Sequence, residues 1–470
     1  MFEKKKIVTE HVAQIRGQKV PYKVTFETFQ VSDMFGTPEL VTSTFSYERT
    51  DVTDVTSRPV ILAFNGGPGA ASVPVHIGLL SPRRMDMSDI TNRSFTPPYG
   101  MENNPESILD ICDIVIYDMP MCGFSRILNP ESRSKYFSTE KDADATIITL
   151  RKWLTSHSRW NSPLFLLGES YGSIRNAEIA DRLSFGVDMD HGSCMIHLAG
   201  VIMLGTTLNY KQPPYPVPTE ILEFIPIAAA NWKYRPEGKP ELEEFVEDAY
   251  TFSYEEYLPA LAWGNRLSEE KRRTVAKKLS YFTGLPTEKL LADGLKINKY
   301  QFAATGFADL GFSIGMNDIR FTGPVDRAAG TCIEDFFEKD VSNNLPLQMQ
   351  ARCFNDYIRN ELKIDIDEEY EQLCFNPDMT WDYSVSRNPG ECLRLAMLRN
   401  PQLRVMFCMG YFDLVTPMSY ARYCAAYHEL PQDRIDWNCY KAGHMPYLGT
   451  DNSNEVLNGL REFILKCLQS

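Results

Sequence analysis

The sequence predicts an α/β protein with a central, mostly parallel sheet and a largely helical cap insertion. Three observations predict it. Continuous apolar runs that read as buried strands, Val60–Phe64, residues 163–167 and Arg404–Gly410, lead into turns that carry glycine. Stretches of helical spacing lie between the strands of the first half. A serine and an aspartate sit at two of these turns, far apart in sequence, and the helical patterns of residues 207–375 lie between them.

Taken in order, residues 20–47 alternate apolar and polar positions, as antiparallel strands do. Val60–Phe64 is the first buried strand. A helix follows, opened by Thr139-Glu140-Lys141-Asp142 as a capping box, with Ile147, Leu150, Trp153 and Leu154 at helical spacing. After the strand at 163–167, Pro213-Pro214-Tyr215-Pro216-Val217-Pro218 marks a crossing into the insertion, where residues 241–250 and 269–279 carry helical patterns. Arg404–Gly410 resumes the sheet, and residues 434–440 alternate Ile435, Trp437 and Cys439 with polar neighbours as the next strand. The expected division is 1–206 for the first part of the core, 207–375 for the cap and 376–470 for the second part. With 470 residues, 43% of them hydrophobic, the chain can bury a large core, and no repeat or low-complexity tract interrupts it.

The turns carry chemistry. Gly168-Glu169-Ser170-Tyr171-Gly172 places a serine in a tight strand-to-helix elbow, which lifts its hydroxyl towards a base that must remove the proton. Asp413 follows the strand Arg404–Gly410, and His444 follows the strand at 434–440, within Lys441-Ala442-Gly443-His444-Met445-Pro446. Serine, acid and base thus occur in the order of an α/β-hydrolase, each on a loop at the carboxyl end of a strand. The loop Asn65-Gly66-Gly67-Pro68-Gly69-Ala70-Ala71-Ser72 follows an early strand, where a backbone N–H, assigned to Gly67, meets the oxyanion of an acyl intermediate; Tyr171 supplies the second N–H.

Together Asn65-Gly66-Gly67-Pro68-Gly69, the Ser170 box, Gly410-Tyr411-Phe412-Asp413-Leu414-Val415-Thr416-Pro417 and Gly443-His444-Met445 resemble the serine carboxypeptidase family. Weaker likeness occurs at Asn104-Pro105-Glu106-Ser107-Ile108-Leu109-Asp110, Gly123-Phe124-Ser125, Arg159-Trp160 and Ser162-Pro163. The sequence looks closest to the bacterial branch, which has an element like Arg320-Phe321-Thr322-Gly323. The resemblance implies an exopeptidase that removes C-terminal residues through an acyl-enzyme on Ser170, without metal or cofactor. It also implies that Asn65, Gly66 and Glu169 bind the substrate's free carboxylate. A glutamate beside a bound carboxylate resists ionisation, and the protonated acid then donates a hydrogen bond.

Three departures from that family stand out. Ala70-Ala71-Ser72 replaces a Cys-Ser-Ser stretch, so a disulfide anchored there is not expected. Leu79 stands where the eukaryotic branch places a glutamate that pairs with the elbow glutamate. Met119-Pro120-Met121-Cys122-Gly123 is bulkier than the family's glycine-rich stretch, so the pocket walls should differ.

A net charge of −14, from 62 acidic against 48 basic residues, argues against nucleic-acid or anionic-membrane partners. Lys4-Lys5-Lys6 reads as a solvated tail, and Lys271-Arg272-Arg273 and the acidic residues 365–371 read as solvated faces. The first residues lack an apolar signal core, and the 11 cysteines are scattered without a C-x-x-C pair, so a cytoplasmic enzyme with reduced thiols is expected. Asn92-Arg93-Ser94 is then a chance sequon. His76, His191 and His197 lack metal spacing and read as structural. The expected partner is a peptide, or a peptide-like molecule, with a free C-terminal carboxylate. An esterase or acyltransferase using the same three residues is the alternative, and a non-enzymatic binding protein the third class. Oligomeric state, a homodimer included, is left open.

Overall fold

The computed structural model describes residues 4–469 except 92–95, 186, 189–191, 194–195, 207, 209–216, 326–339, 375–380 and 384–386. One sheet of ten strands organises the chain. Its strands are β1 (Lys6–Ile15), β2 (Gln18–Ser32), β3 (Pro38–Arg49), β4 (Val60–Phe64), β5 (Asp113–Asp118), β6 (Arg126–Ile127), β7 (Leu164–Glu169), β8 (Leu198–Leu204), β9 (Arg404–Gly410) and β10 (Ile435–Tyr440). The order is β1-β2-β3-β5-β4-β7-β8-β9-β10, with β6 beside β3. β1, β2 and β3 pair antiparallel, as does β3 with β5, and every pair from β5 to β10 is parallel. Parallel strands need crossovers, and the crossover helices cover both sheet faces; hence β4 and β7 are buried at every residue. This is the α/β-hydrolase fold.

The alternation in residues 20–47 predicts one buried face, yet β3 is buried along almost its whole length. Both of its faces are covered. The Trp153 indole of α1 (Thr139–Ser156) donates to Ser46 Oγ at 2.6 Å, while Phe45 meets Phe354 and His76 on the other face. The α1 cap also lies one residue earlier than expected. Ser138, not Thr139, accepts the Lys141 N–H, because Thr139 already has helical backbone and its hydroxyl serves the Trp381 indole.

α2 (Tyr171–Phe185) follows the elbow within the core; of the inserted helices α3 (Thr219–Tyr234), α4 (Leu242–Phe252) and α5 (Glu269–Thr283), the last two are those predicted at 241–250 and 269–279. Phe224, Phe245, Phe252, Tyr257 and Phe282 bind α3, α4 and α5 into an aromatic cluster. α6 (Asn344–Asp356) packs instead on the sheet, where Tyr357 just after it meets the Tyr47 hydroxyl at 3.2 Å. Residues 213–216 of the expected crossing, the Asn92-Arg93-Ser94 sequon and His191 lie outside the described residues.

The lysine run is not a solvated tail. Lys6 opens β1, Lys4 and Lys6 pair with the buried Glu27 at 2.8 and 3.5 Å, and Lys5 pairs with Glu368 at 2.5 Å. A buried carboxylate draws these cations onto the sheet. His76 is buried against the Tyr47 hydroxyl at 2.7 Å, a structural position. No helix among the described residues is long and apolar enough to cross a membrane, and no cluster there has the makings of a metal site.

Candidate active site

β7 ends at Glu169, and the chain turns so sharply into α2 that Ser170 adopts φ +56°, a left-handed conformation that is unusual for a serine. Such strain is characteristic of an elbow that presents a nucleophile. The Asn65-Gly66-Gly67 loop crosses close beside it: a Cβ on Gly66 would lie 2.5 Å from Tyr171 N and 2.6 Å from Glu169 O. Only glycine permits that approach, and it seats the loop that carries Gly67 directly against the backbone of the elbow, where Tyr171 lies.

Asp413, on the loop after β9, is completely buried. Its Oδ1 accepts the Val415 and Thr416 N–H groups at 2.8 and 2.9 Å. Its Oδ2 accepts the Thr416 hydroxyl at 2.6 Å and faces His444 Nδ1 at 3.0 Å. Burial opposes the Asp413 charge, but His444 and these hydrogen bonds outweigh it and hold the carboxyl below its usual range. Burial likewise disfavours the imidazolium of His444, yet the charge and hydrogen bond of Asp413, with Glu169 beyond, lift the His444 pKa above its ordinary value. The His444 N–H donates to Asn317 O at 2.6 Å. Arg320 holds this segment by bonding Asp318, Asn452 Oδ1 and Leu448 O.

Ser170 and His444 meet through the end of β8. The Ser170 N–H bonds Leu204 O at 2.9 Å, and a Cβ on the next residue, Gly205, would lie 3.0 Å from His444 Nδ1. Among the described residues no hydrogen bond joins the serine hydroxyl to the imidazole, a bond that often tightens only when substrate binds.

Glu169 and Asn65, predicted to hold a carboxylate, lie together beside this pair. Asn65 Oδ1 accepts the Val75 N–H at 3.0 Å, which leaves its amide NH2 to face Glu169. The Tyr447 hydroxyl donates to Glu169 Oε2. Burial dominates at Glu169; His444, Tyr447 and Asn65 oppose it without cancelling it, and the pKa is pushed up to about 7. A rise of that size from the ordinary glutamate value disfavours the ionised form by roughly 3 kcal/mol. Among the described residues no ion pair is formed by Glu169, and the nearby His444 is hydrogen-bonded to Asp413.

Where the family resemblance suggested a missing disulfide, backbone pairing tethers the loop: Ala71 N–H bonds Gln372 O at 2.9 Å, and Cys374 N–H bonds Gly69 O at 2.7 Å. The bulky Met119 lies beneath, its sulfur accepting the Gly69 N–H at 3.3 Å and Arg175 Nη2 at 3.2 Å. Arg175, fully buried on α2, also bonds Asn65 O at 2.9 Å and Asp142 at 2.7 Å, and so ties the loop to the elbow helix. Sequence reasoning assigned no role to Thr416, Gly205, Arg175 or Tyr447. Thr416 lies three residues after Asp413 in the same box, a spacing that could have pointed to it; the others carry no local signal.

Residues 41–218 match the family model for serine carboxypeptidases. Among solved structures, Kex1, a prohormone-processing carboxypeptidase from Saccharomyces cerevisiae, is similar over 94% of this chain and 92% of its own, with a TM-score of 0.55 and 12% identity. An esterase, LipA, from Xanthomonas oryzae (TM-score 0.38, 10% identity, 98% and 97% covered) and a proline iminopeptidase from Mycobacterium smegmatis (0.34, 13%, 98% and 99%) are more distant. No curated protein sequence matches the chain. The family match and the α/β-hydrolase fold make this chain a serine hydrolase that is similar to the serine carboxypeptidases over residues 41–218.

Proposed function

We propose that the chain is a serine carboxypeptidase acting on the C-terminal bond of peptides. Ser170 attacks the scissile carbonyl while His444 takes its proton, and Asp413 orients the imidazole and stabilises its charged form. The N–H groups of Gly67 and Tyr171 receive the oxyanion. His444 then protonates the departing amino group, and water resolves the acyl-enzyme by the same steps. Asn65, Gly66 and Glu169 hold the free carboxylate of the leaving residue. Within the interval 207–375, the helices α3 to α5 serve as the cap: α3 packs on both loops that carry the acid and the base, with Lys233 over the Phe412 ring and Lys441 over Trp232. Such a cover would exclude water and shape the pocket.

One observation carries the reading. Glu169 is a buried acid with a pKa near 7, beside the serine elbow and in reach of the Asn65 amide. An acid that stays neutral below about pH 7 suits donation to an anion. The test is a mixed peptide library incubated with the protein and read by mass. Stepwise loss of C-terminal residues supports the proposal. Acyl adducts, or cleavage of esters with peptides left intact, would move the assignment to an esterase or acyltransferase.

A further inference from the structure

We propose that Tyr447 is a positioning residue of the carboxylate site, orienting the Glu169 carboxyl from the loop after β10 in the place left by the missing partner acid. This rests on the carboxypeptidase reading and concerns the same site. Leu79, which stands in that acid's place, is fully buried among apolar residues. Its neighbour Gly78 instead makes room for a ring, since a Cβ there would lie 2.9 Å from Tyr447 Cε2. The Tyr447 ring is itself fully buried, and a buried phenol needs a partner; its hydroxyl donates to Glu169 Oε2.

The consequence is directional. A neutral carboxyl whose Oε2 already accepts a hydrogen bond carries its proton on Oε1, the oxygen left to donate. Tyr447 thereby decides which Glu169 oxygen can reach a substrate carboxylate. The groups facing Glu169 are Tyr447 and His444 from the loop after β10, Asp413 from the loop after β9 and Asn65 from the loop after β4. Of these, Tyr447 and Asn65 donate to the carboxyl, and both favour its ionised form.

Removing the phenol hydroxyl therefore has two effects with distinct signatures. Tyr447→Phe should weaken binding of free-acid peptides, raising KM roughly tenfold with a smaller change in kcat. It should also move the alkaline limb of kcat/KM upward by about one pH unit, because the ionised carboxyl loses a donor. A purely structural tyrosine would lower activity without moving that limb. Thermal unfolding and labelling of Ser170 by a fluorophosphonate report whether the variant is folded and its nucleophile assembled. Should it not fold, Gly78→Ala decides, since the added methyl presses on the ring edge and should shift the limb in the same direction by less. An unmoved limb in a folded variant overturns the role of Tyr447 while leaving the carboxylate site standing. Equal wild-type rates on free and amidated peptides overturn both.

Discussion

Two buried glutamates of one sheet have opposite fates. Glu169, at the carboxyl end of β7, has a pKa near 7, whereas Glu27, in the middle of β2, is held at about 2. Burial pushes both upward. At Glu27 it is outweighed by His157 at 3.2 Å and by Lys4 and Lys6, so the carboxylate is locked as an ion. At Glu169 the donors are a phenol and an amide, and the nearest imidazole belongs to Asp413. Partners, not depth, decide whether a buried acid becomes a fixed strut or a titrating donor.

The largest expected effect tests whether the Glu169 end of the sheet is a reaction centre at all. Ser170→Ala should abolish turnover, a loss on the order of 10⁶-fold, together with fluorophosphonate labelling. His444→Ala should be similarly severe, and Asp413→Asn should cost roughly 10⁴-fold in kcat with the fold intact. Labelling retained at another serine would remove Glu169 from the chemistry and leave it merely a buried acid of the core.

Glu169 comes next. Peptides with a free C-terminus should be processed roughly ten to a hundred times better than amidated ones, the worth of a charge-assisted hydrogen bond. Donation needs the protonated acid, so peptidase kcat/KM should fall as pH rises through about 7. On the acid side it should fall as His444 is protonated, below its raised pKa. Glu169→Gln keeps a donor at every pH, so the alkaline limb near 7 should vanish for peptides, while ester hydrolysis changes little. A persisting limb would assign that pKa to another group.

For Glu27 the readout is stability. Its depressed pKa contributes stability that is present above the ordinary glutamate range and lost as pH falls towards about 2. His157, whose pKa is raised by Glu27 and Glu48 against the opposing effect of burial, contributes stability that is present below its ordinary value and lost as pH rises through the raised one. Glu27→Gln should cost about 1–3 kcal/mol in urea unfolding at pH 6 and flatten both slopes, with peptidase activity per folded molecule unchanged. A changed peptidase pH profile would mean that the two glutamates are coupled.

The smallest effect belongs to Thr416. Its hydroxyl bridges Asp413 and His444, and Thr416→Val should lower kcat by roughly 2–10-fold, because Asp413 keeps its two backbone N–H donors. A loss as large as that of Asp413→Asn would mean that the hydroxyl, not the carboxylate, orients the imidazole.

What the sequence determined by itself was local. Strand, elbow and glycine loop are each written within a few consecutive residues, because a turn at φ +56° or a backbone approach of 2.5 Å demands particular neighbours. The apolar runs of β4, β7 and β9 announced a parallel sheet, although β5 and the equally apolar β8, whose end joins Ser170 to His444, were not singled out. The order of Ser170, Asp413 and His444 followed from reading turns after strands. Pairings between residues far apart in the chain were decided only by the tertiary structure. Tyr447 meets Glu169 across 278 positions, Arg175 meets Asn65 across 110, and Glu27 gathers Lys4, Lys6 and His157. A side chain's protonation depends on what surrounds it in three dimensions, and burial and distant partners leave no period or spacing in the chain.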